Sequence, residues 1–159
     1  MRTDEFVMRG QTPGAAGTTG KENQEILNFS GYKPGYAFKL VEFSLYPSTN
    51  LGGGNHEIFA TITAGKSSVD PVNPNYNDDS LIATAMLSNG VIYSGSNPRY
   101  VDNISVVNDT FLITQNLILT VKEDGDLAVN WQCRFKPVKM AKAEEAVANY
   151  KQFLISDGS

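Results

Sequence analysis

Cysteine and histidine are nearly missing from this chain: Cys133 and His56 are the sole residues of their kinds in 159. A lone cysteine excludes an internal disulfide and cysteine-rich zinc sites. A lone histidine leaves hydrolase triads, zinc centres and cupin-type metal sites short of ligands, or of partners visible in the sequence. No Gly-x-Ser-x-Gly occurs, so the nucleophile elbow of the α/β-hydrolases is missing too. Positive charge is in deficit. Lys and Arg number 13 against 17 Asp and Glu, a formal charge of −4, which argues against a nucleic-acid coat because that needs a basic stripe. No apolar run reaches the roughly 18 residues of a membrane-spanning helix. Arg2 is not followed by the apolar stretch of a secretory leader, so none is expected. The Asn-x-Ser/Thr triplets at Asn28, Asn103 and Asn108 therefore read as chance matches in an Asn-rich chain.

What is present is alternation. In residues 127–136, Leu127, Val129, Trp131, Cys133 and Phe135 take every second position, with Asn130, Gln132, Arg134 and Lys136 among the intervening ones. A strand sends successive side chains to opposite faces, so this stretch predicts one buried and one wet face. Upstream, Leu117, Leu119 and Val121 form a second apolar row, and Asp124-Gly125 between the two rows is a tight-turn signal. Residues 116–138 thus read as a β-hairpin.

The rest follows the same logic. Residues 26–29 are a short strand candidate before the Pro34-Gly35 turn. In residues 36–46, Phe38 and Leu40 share one parity, while Val41, Phe43 and Leu45 share the other; one extra residue at Leu40-Val41 restores the phase, which predicts a β-bulge. Residues 56–64 alternate again, and Phe59 on the polar side implies that the outer face is partly covered. Ser88-Asn89-Gly90 reads as a second hairpin turn between residues 81–87 and 91–93. Residues 104–107 and 111–114 are further strands. After Pro137 the period changes: Met140, Ala143, Val147, Tyr150 and Leu154 make one helical stripe. Residues 1–24 are rich in Gly, Thr and Ala and have few large apolar side chains after Phe6-Val7-Met8, so they read as an arm that gains order only along a sheet edge or another subunit. The expectation is an all-β chain, an antiparallel β-sandwich or jelly roll with one short C-terminal helix and an extended N-terminal arm. Residues 1–24 would be the arm. Residues 25–159 would be the sandwich domain, with every core strand starting at or after Glu25 and the helix near residues 140–150.

Few residues offer chemistry. Gly65-Lys66-Ser67 ends like a phosphate-binding loop, but Ala60 stands where the first glycine is needed and Asp70-Pro71 forbids the following helix. Asn75, Asn77 and Asp79, with Asp70 and Asp78 nearby, supply alternate oxygens; lacking the glycine and distal glutamate of a calcium loop, they read as Asx turns. Cys133 beside Trp131 reads as inert core. Asp70, Asp78, Asp79, Glu123, Asp124 and Asp126 fall in turns or loops, with no acid–base pairing implied. Tyr32, Tyr36, Tyr46, Tyr76, Tyr93 and Tyr100 lie near turns or strand ends, where an aromatic can stack on sugars, contact a subunit or pack at a rim. Lys136, Lys139, Lys142 and Lys151 around Glu144 and Glu145 mark a solvated face. No catalytic, cofactor-binding or metal-binding residue is expected.

The polar arm of residues 1–24, the run Gly35-Tyr36-Ala37-Phe38-Lys39-Leu40-Val41-Glu42-Phe43-Ser44-Leu45, the run Asn130-Trp131-Gln132-Cys133-Arg134-Phe135, and the late Glu144-Glu145-Ala146 and Asn149-Tyr150-Lys151-Gln152-Phe153 carry a resemblance. Across most of its length the chain resembles virion structural proteins of marine bacteriophages. The resemblance implies an oligomeric β-sandwich or jelly-roll module without catalytic residues, located in the virion: a capsid decoration (cement) or minor capsid protein. Its partners would be other virion proteins and further copies of itself, with no nucleic acid and no membrane. The alternative is a carbohydrate-binding β-sandwich, such as a tail-fibre or receptor-binding domain, whose partner is a glycan.

Overall fold

Alternation of residue type becomes alternation of burial. In β8 (Val129–Lys139), Val129, Trp131, Cys133 and Phe135 are buried, while Asn130, Gln132 and Arg134 between them are half-buried. The computed structural model describes residues 4–12, 22–29, 35–48, 56–65, 69–91, 99–123, 128–141, 147–148 and 150–151. Within them lie β1 (Phe6–Gln11), β2 (Glu22–Leu27), β3 (Tyr36–Pro47), β4 (His56–Ala64), β5 (Leu81–Val91), β6 (Arg99–Val107), β7 (Leu117–Glu123) and β8. They form an antiparallel two-sheet sandwich, ordered β1-β8-β3 in one sheet and β2-β7-β4-β5-β6 in the other. The pairing is nested. β4 pairs with β5 at the centre of the chain, β2 pairs with β7 outside it, and β1 pairs with β8 outside that. β6 pairs with β5 and also contacts β3. Nested pairs drawn from opposite ends of eight strands make a jelly roll.

The core fills the space between the sheets. Leu40, Phe43, Leu45, Trp131, Cys133 and Phe135 come from one side; Leu27, Ile58, Ala60, Ile62, Leu117, Leu119 and Val121 come from the other. At one end, Phe6 stacks on Phe135 with ring centroids 5.2 Å apart, and Phe29, just past β2, meets Phe135 edge-on at 5.0 Å. Phe38 adds a second edge contact to Phe6, also at 5.2 Å. Such offset and edge geometries are those that aromatic quadrupoles favour.

The expected bulge is present. The register of β3 against β8 shifts between Leu40, opposite Phe135, and Glu42, opposite Arg134, so Val41 is the extra residue. That lets Leu40 and Phe43 both point inward despite their opposite parity. The outer face of β4 is covered as expected, since Thr61 and Thr63 are fully buried there.

Four expectations are corrected. Residues 116–138 are not a hairpin: β7 pairs with β2 and β4, and β8 pairs with β1 and β3 in the other sheet. The two apolar rows thereby face one another across the core, which a hairpin within one sheet would prevent. The Asp124-Gly125 turn itself lies outside the described residues. Asn89-Gly90 is not a turn either, because β5 runs through it and pairs Asn89 with Val101 and Gly90 with Tyr100. A full-length partner strand outweighs the local turn preference there. Residues 111–114 make a single bridge instead of a strand: the N–H groups of Phe38 and Ile113 each donate to the other's carbonyl, at 2.9 and 2.8 Å. Finally, the core does not begin at Glu25. β1 pairs with β8 over its whole length, Phe6 is buried, and β2 starts at Glu22.

The helix expected near residues 140–150 falls mostly outside the described residues. Val147, Ala148, Tyr150 and Lys151 have helical backbone, and Met140 and Ala148 pack with Ala37 in a small satellite core.

Candidate functional site

Two features of the three-stranded sheet can engage a partner: an open edge and a polar outer face. The edge belongs to β1. Thr12 N–H donates to the Val129 carbonyl at 2.9 Å, and Thr12 Oγ1 accepts from Val129 N–H at 3.0 Å. Thr12 and Val129 continue the register of Phe6 with Phe135. In an antiparallel ladder the backbone groups of alternate residues point to opposite sides. Val7, Arg9 and Gln11 therefore turn their N–H and C=O groups away from β8. Among the described residues no strand pairs with that side. Such an edge is a template for strand addition.

The outer face has two different ends. At one, Arg134 is held by two carboxylates, Nε to Glu42 Oε2 at 3.2 Å and Nη1 to Glu5 Oε1 at 3.3 Å. Lys39 lies opposite Lys136 in the neighbouring part of the ladder. At the other end the register sets two rows of three: Arg9, Gln132 and Ser44, then Gln11, Asn130 and Tyr46. These side chains line a depression of about 580 Å³. Its floor includes Gly10 and Trp131. A Cβ on Gly10 would stand 2.9 Å from Trp131 Cζ2, so this glycine is what lets the indole pack this close to β1. Gln11 Nε2 donates to Asn130 Oδ1 at 3.0 Å. Tyr46 is 71% exposed. No carboxylate pairs with Arg9 among the described residues.

The residues weighed in the sequence do not converge. His56 opens β4, opposite Asn89. Cys133 is fully buried, and burial pushes its thiol pKa up, away from reactivity. Asp70, Asn75 and Asp78 each accept a backbone N–H two residues on, from Val72, Asn77 and Ser80, at 3.0, 3.0 and 2.9 Å. These are Asx turns. The Val72 hydrogen bond, the largest cause, holds the Asp70 carboxyl below its ordinary value. No grouping of three His, Cys, Asp or Glu suited to a metal occurs among the described residues. Tyr76 is tied by its hydroxyl to Thr84 Oγ1 at 2.7 Å, and among the described residues Tyr46 is the tyrosine that lines the polar rows. Lys66, Ser67, Tyr32, Tyr93, Asp124 and Asp126 lie outside the described residues, and of Tyr100 only the backbone is described. Sequence reading had Asn130 and Gln132 on a wet face. It missed their alignment with Arg9, Gln11, Ser44 and Tyr46, because that needs the register of three strands distant in the chain.

No family model matches this chain, and no curated protein matches it. Among solved structures it is similar to VP1 of Trichodysplasia spinulosa-associated polyomavirus in complex with GM1 oligosaccharide, at 6% identity and a TM-score of 0.48, over 84% of this chain and 94% of that one. It is also similar to an unassembled VP1 pentamer of Washington University Polyomavirus, at 8% identity and a TM-score of 0.36, over 86% and 96% of the two chains. A putative glycoside hydrolase from Bacteroides thetaiotaomicron follows at 11% identity and a TM-score of 0.27, over 76% of this chain and 42% of that one. Likenesses this distant concern the fold and assign no activity.

Proposed function

We propose that this chain is a non-enzymatic structural component of a bacteriophage particle, a capsid decoration (cement) or minor capsid protein that binds neighbouring subunits. The observation that carries this reading is the nested jelly roll of eight described strands, with a β1 edge that none of them covers. Jelly rolls serve in viral capsids, lectins and cupins, so the choice among them is a fold-level analogy. A cupin metal site draws on several histidines, and this chain has His56 alone. The sequence resemblance to marine phage virion proteins favours the capsid over the lectin. In this role the packed core serves as a stiff plate, and a neighbour's strand adds to Val7, Arg9 and Gln11 through main-chain hydrogen bonds.

The test is size-exclusion chromatography with light scattering on the full chain and on Val7→Pro, with binding to purified particles alongside. Proline at Val7 removes an N–H that faces away from β8, so circular dichroism should be unchanged. The expected result is self-association or particle binding by the wild type and its loss in the variant. A wild type that stays monomeric and binds no particle sinks the reading.

A further inference from the structure

We propose that the polar end of the outer sheet face, formed by Arg9, Gln11, Ser44, Tyr46, Asn130 and Gln132, binds an acidic saccharide. The site goes beyond the assembly role and does not depend on it, because strand addition at the β1 edge leaves the sheet face open.

Charge is the first reason. Two arginines lie on this face. Arg134 has Glu42 and Glu5 as partners, whereas Arg9 has no carboxylate among the described residues. In a chain of net charge −4, a guanidinium without a carboxylate partner, in a patch whose described lining residues include no acidic side chain, is a place prepared for an anion. Its planar fork suits a carboxylate or sulfate.

Hydrogen-bonding capacity is the second. Ordinary solvated faces mix charges of both signs, as the other end of this sheet does. Here there are three amides, a hydroxyl and a phenol. Gln11 Nε2 donates to Asn130 Oδ1, and the same two amides carry a further acceptor, Gln11 Oε1, and a further donor, Asn130 Nδ2, on paired residues. Adjacent donor and acceptor positions match neighbouring sugar hydroxyls, each of which both gives and takes. Gln132, between Arg9 and Ser44, repeats the pair one row along.

Shape is the third. Strands lie about 4.8 Å apart and alternate residues about 7 Å apart along a strand, so the two rows span roughly 10 by 7 Å. That footprint holds one or two pyranose rings. Tyr46 stands at the rim, 71% exposed, with its ring available to stack on a sugar face.

The test probes an immobilised panel of hexuronate-, sialate- and sulfate-bearing oligosaccharides, each beside its neutral counterpart. Full-length wild type, Arg9→Gln and Tyr46→Ala are compared. We expect capture of at least one acidic member in preference to its neutral counterpart, weakened about tenfold or more in each variant. The captured saccharide should shift backbone amide signals of the wild type at this end of β1, β3 and β8, a readout that needs no variant to fold. The proposal is overturned if no acidic member is captured, if free sodium sulfate competes as well as the saccharide, or if the shifts fall elsewhere. Equal capture by folded variants overturns it too.

Discussion

Gly10 and Trp131 form a matched pair. The indole is 6% exposed and fills the space that a side chain on Gly10 would occupy. Trp131→Ala should cost about 3–5 kcal/mol in denaturant melts, as buried aromatic truncations do. Gly10→Ala should cost about 1–3 kcal/mol by overpacking. The two losses should not add, because the three nearest atoms that an alanine Cβ at position 10 would meet all belong to the indole. Additive losses would mean the two residues are not in contact. Trp131→Phe should cost less than Trp131→Ala, since Trp131 Nε1 is buried without a hydrogen-bond partner and phenylalanine has no such group to strand. The burial of Trp131 and Phe135 was legible from their alternation. The role of Gly10 was not: a lone glycine in a Gly-rich segment looks like flexibility until the strand beside it is known.

At the scale of elements, β1 separates what an arm would do from what a core strand does. Read alone, Phe6 and Met8 before a Gly/Thr-rich stretch are too few to hold a segment in place. Against β8 they suffice, because Phe6 joins three other phenylalanines and the ladder supplies the rest. Deleting residues 1–12 should therefore abolish the cooperative melt. Deleting residues 1–5 should cost no more than about 1 kcal/mol, since the ion pair it removes among the described residues, Glu5–Arg134, is exposed. A folded 1–12 deletion would make β1 an accessory strand. The loop before β5 is the opposite case, where local chemistry decides the conformation. Its oxygens at Asp70, Asn75 and Asp78 already accept backbone N–H groups. Calcium or EDTA should leave the melting temperature unchanged, and a clear rise with calcium would contradict the Asx-turn reading.

For the molecule as a whole, the all-β class, six of the strand positions and the β3 bulge were legible, because each rests on the parity of neighbouring residues. Sheet membership was not. Asp124-Gly125 and Asn89-Gly90 carry the same local turn signal, yet the first stands between strands of different sheets and the second is paired within β5. Which strand lies beside which is decided by partners far along the chain, and single-sequence patterns hold no record of them. The polar site was hidden for the same reason: its six residues come from three strands at the start, the first third and the end of the sequence.

The nesting of β1 with β8 has a consequence for biosynthesis. β1 leaves the ribosome before the other seven described strands and is among the last of them to find its partner, since Phe6 must wait for Phe135. At ordinary translation rates that interval is on the order of ten seconds. Throughout it, Phe6, Met8 and an unpaired strand are available to other nascent chains on the same message. Crowded polysomes should therefore aggregate this protein more than slow, dilute expression does, and a chaperone that shields the N-terminus should raise its yield. A ribosome stalled before β8 should hold a chain whose N-terminus is cut by protease, and release of the complete chain should close that window.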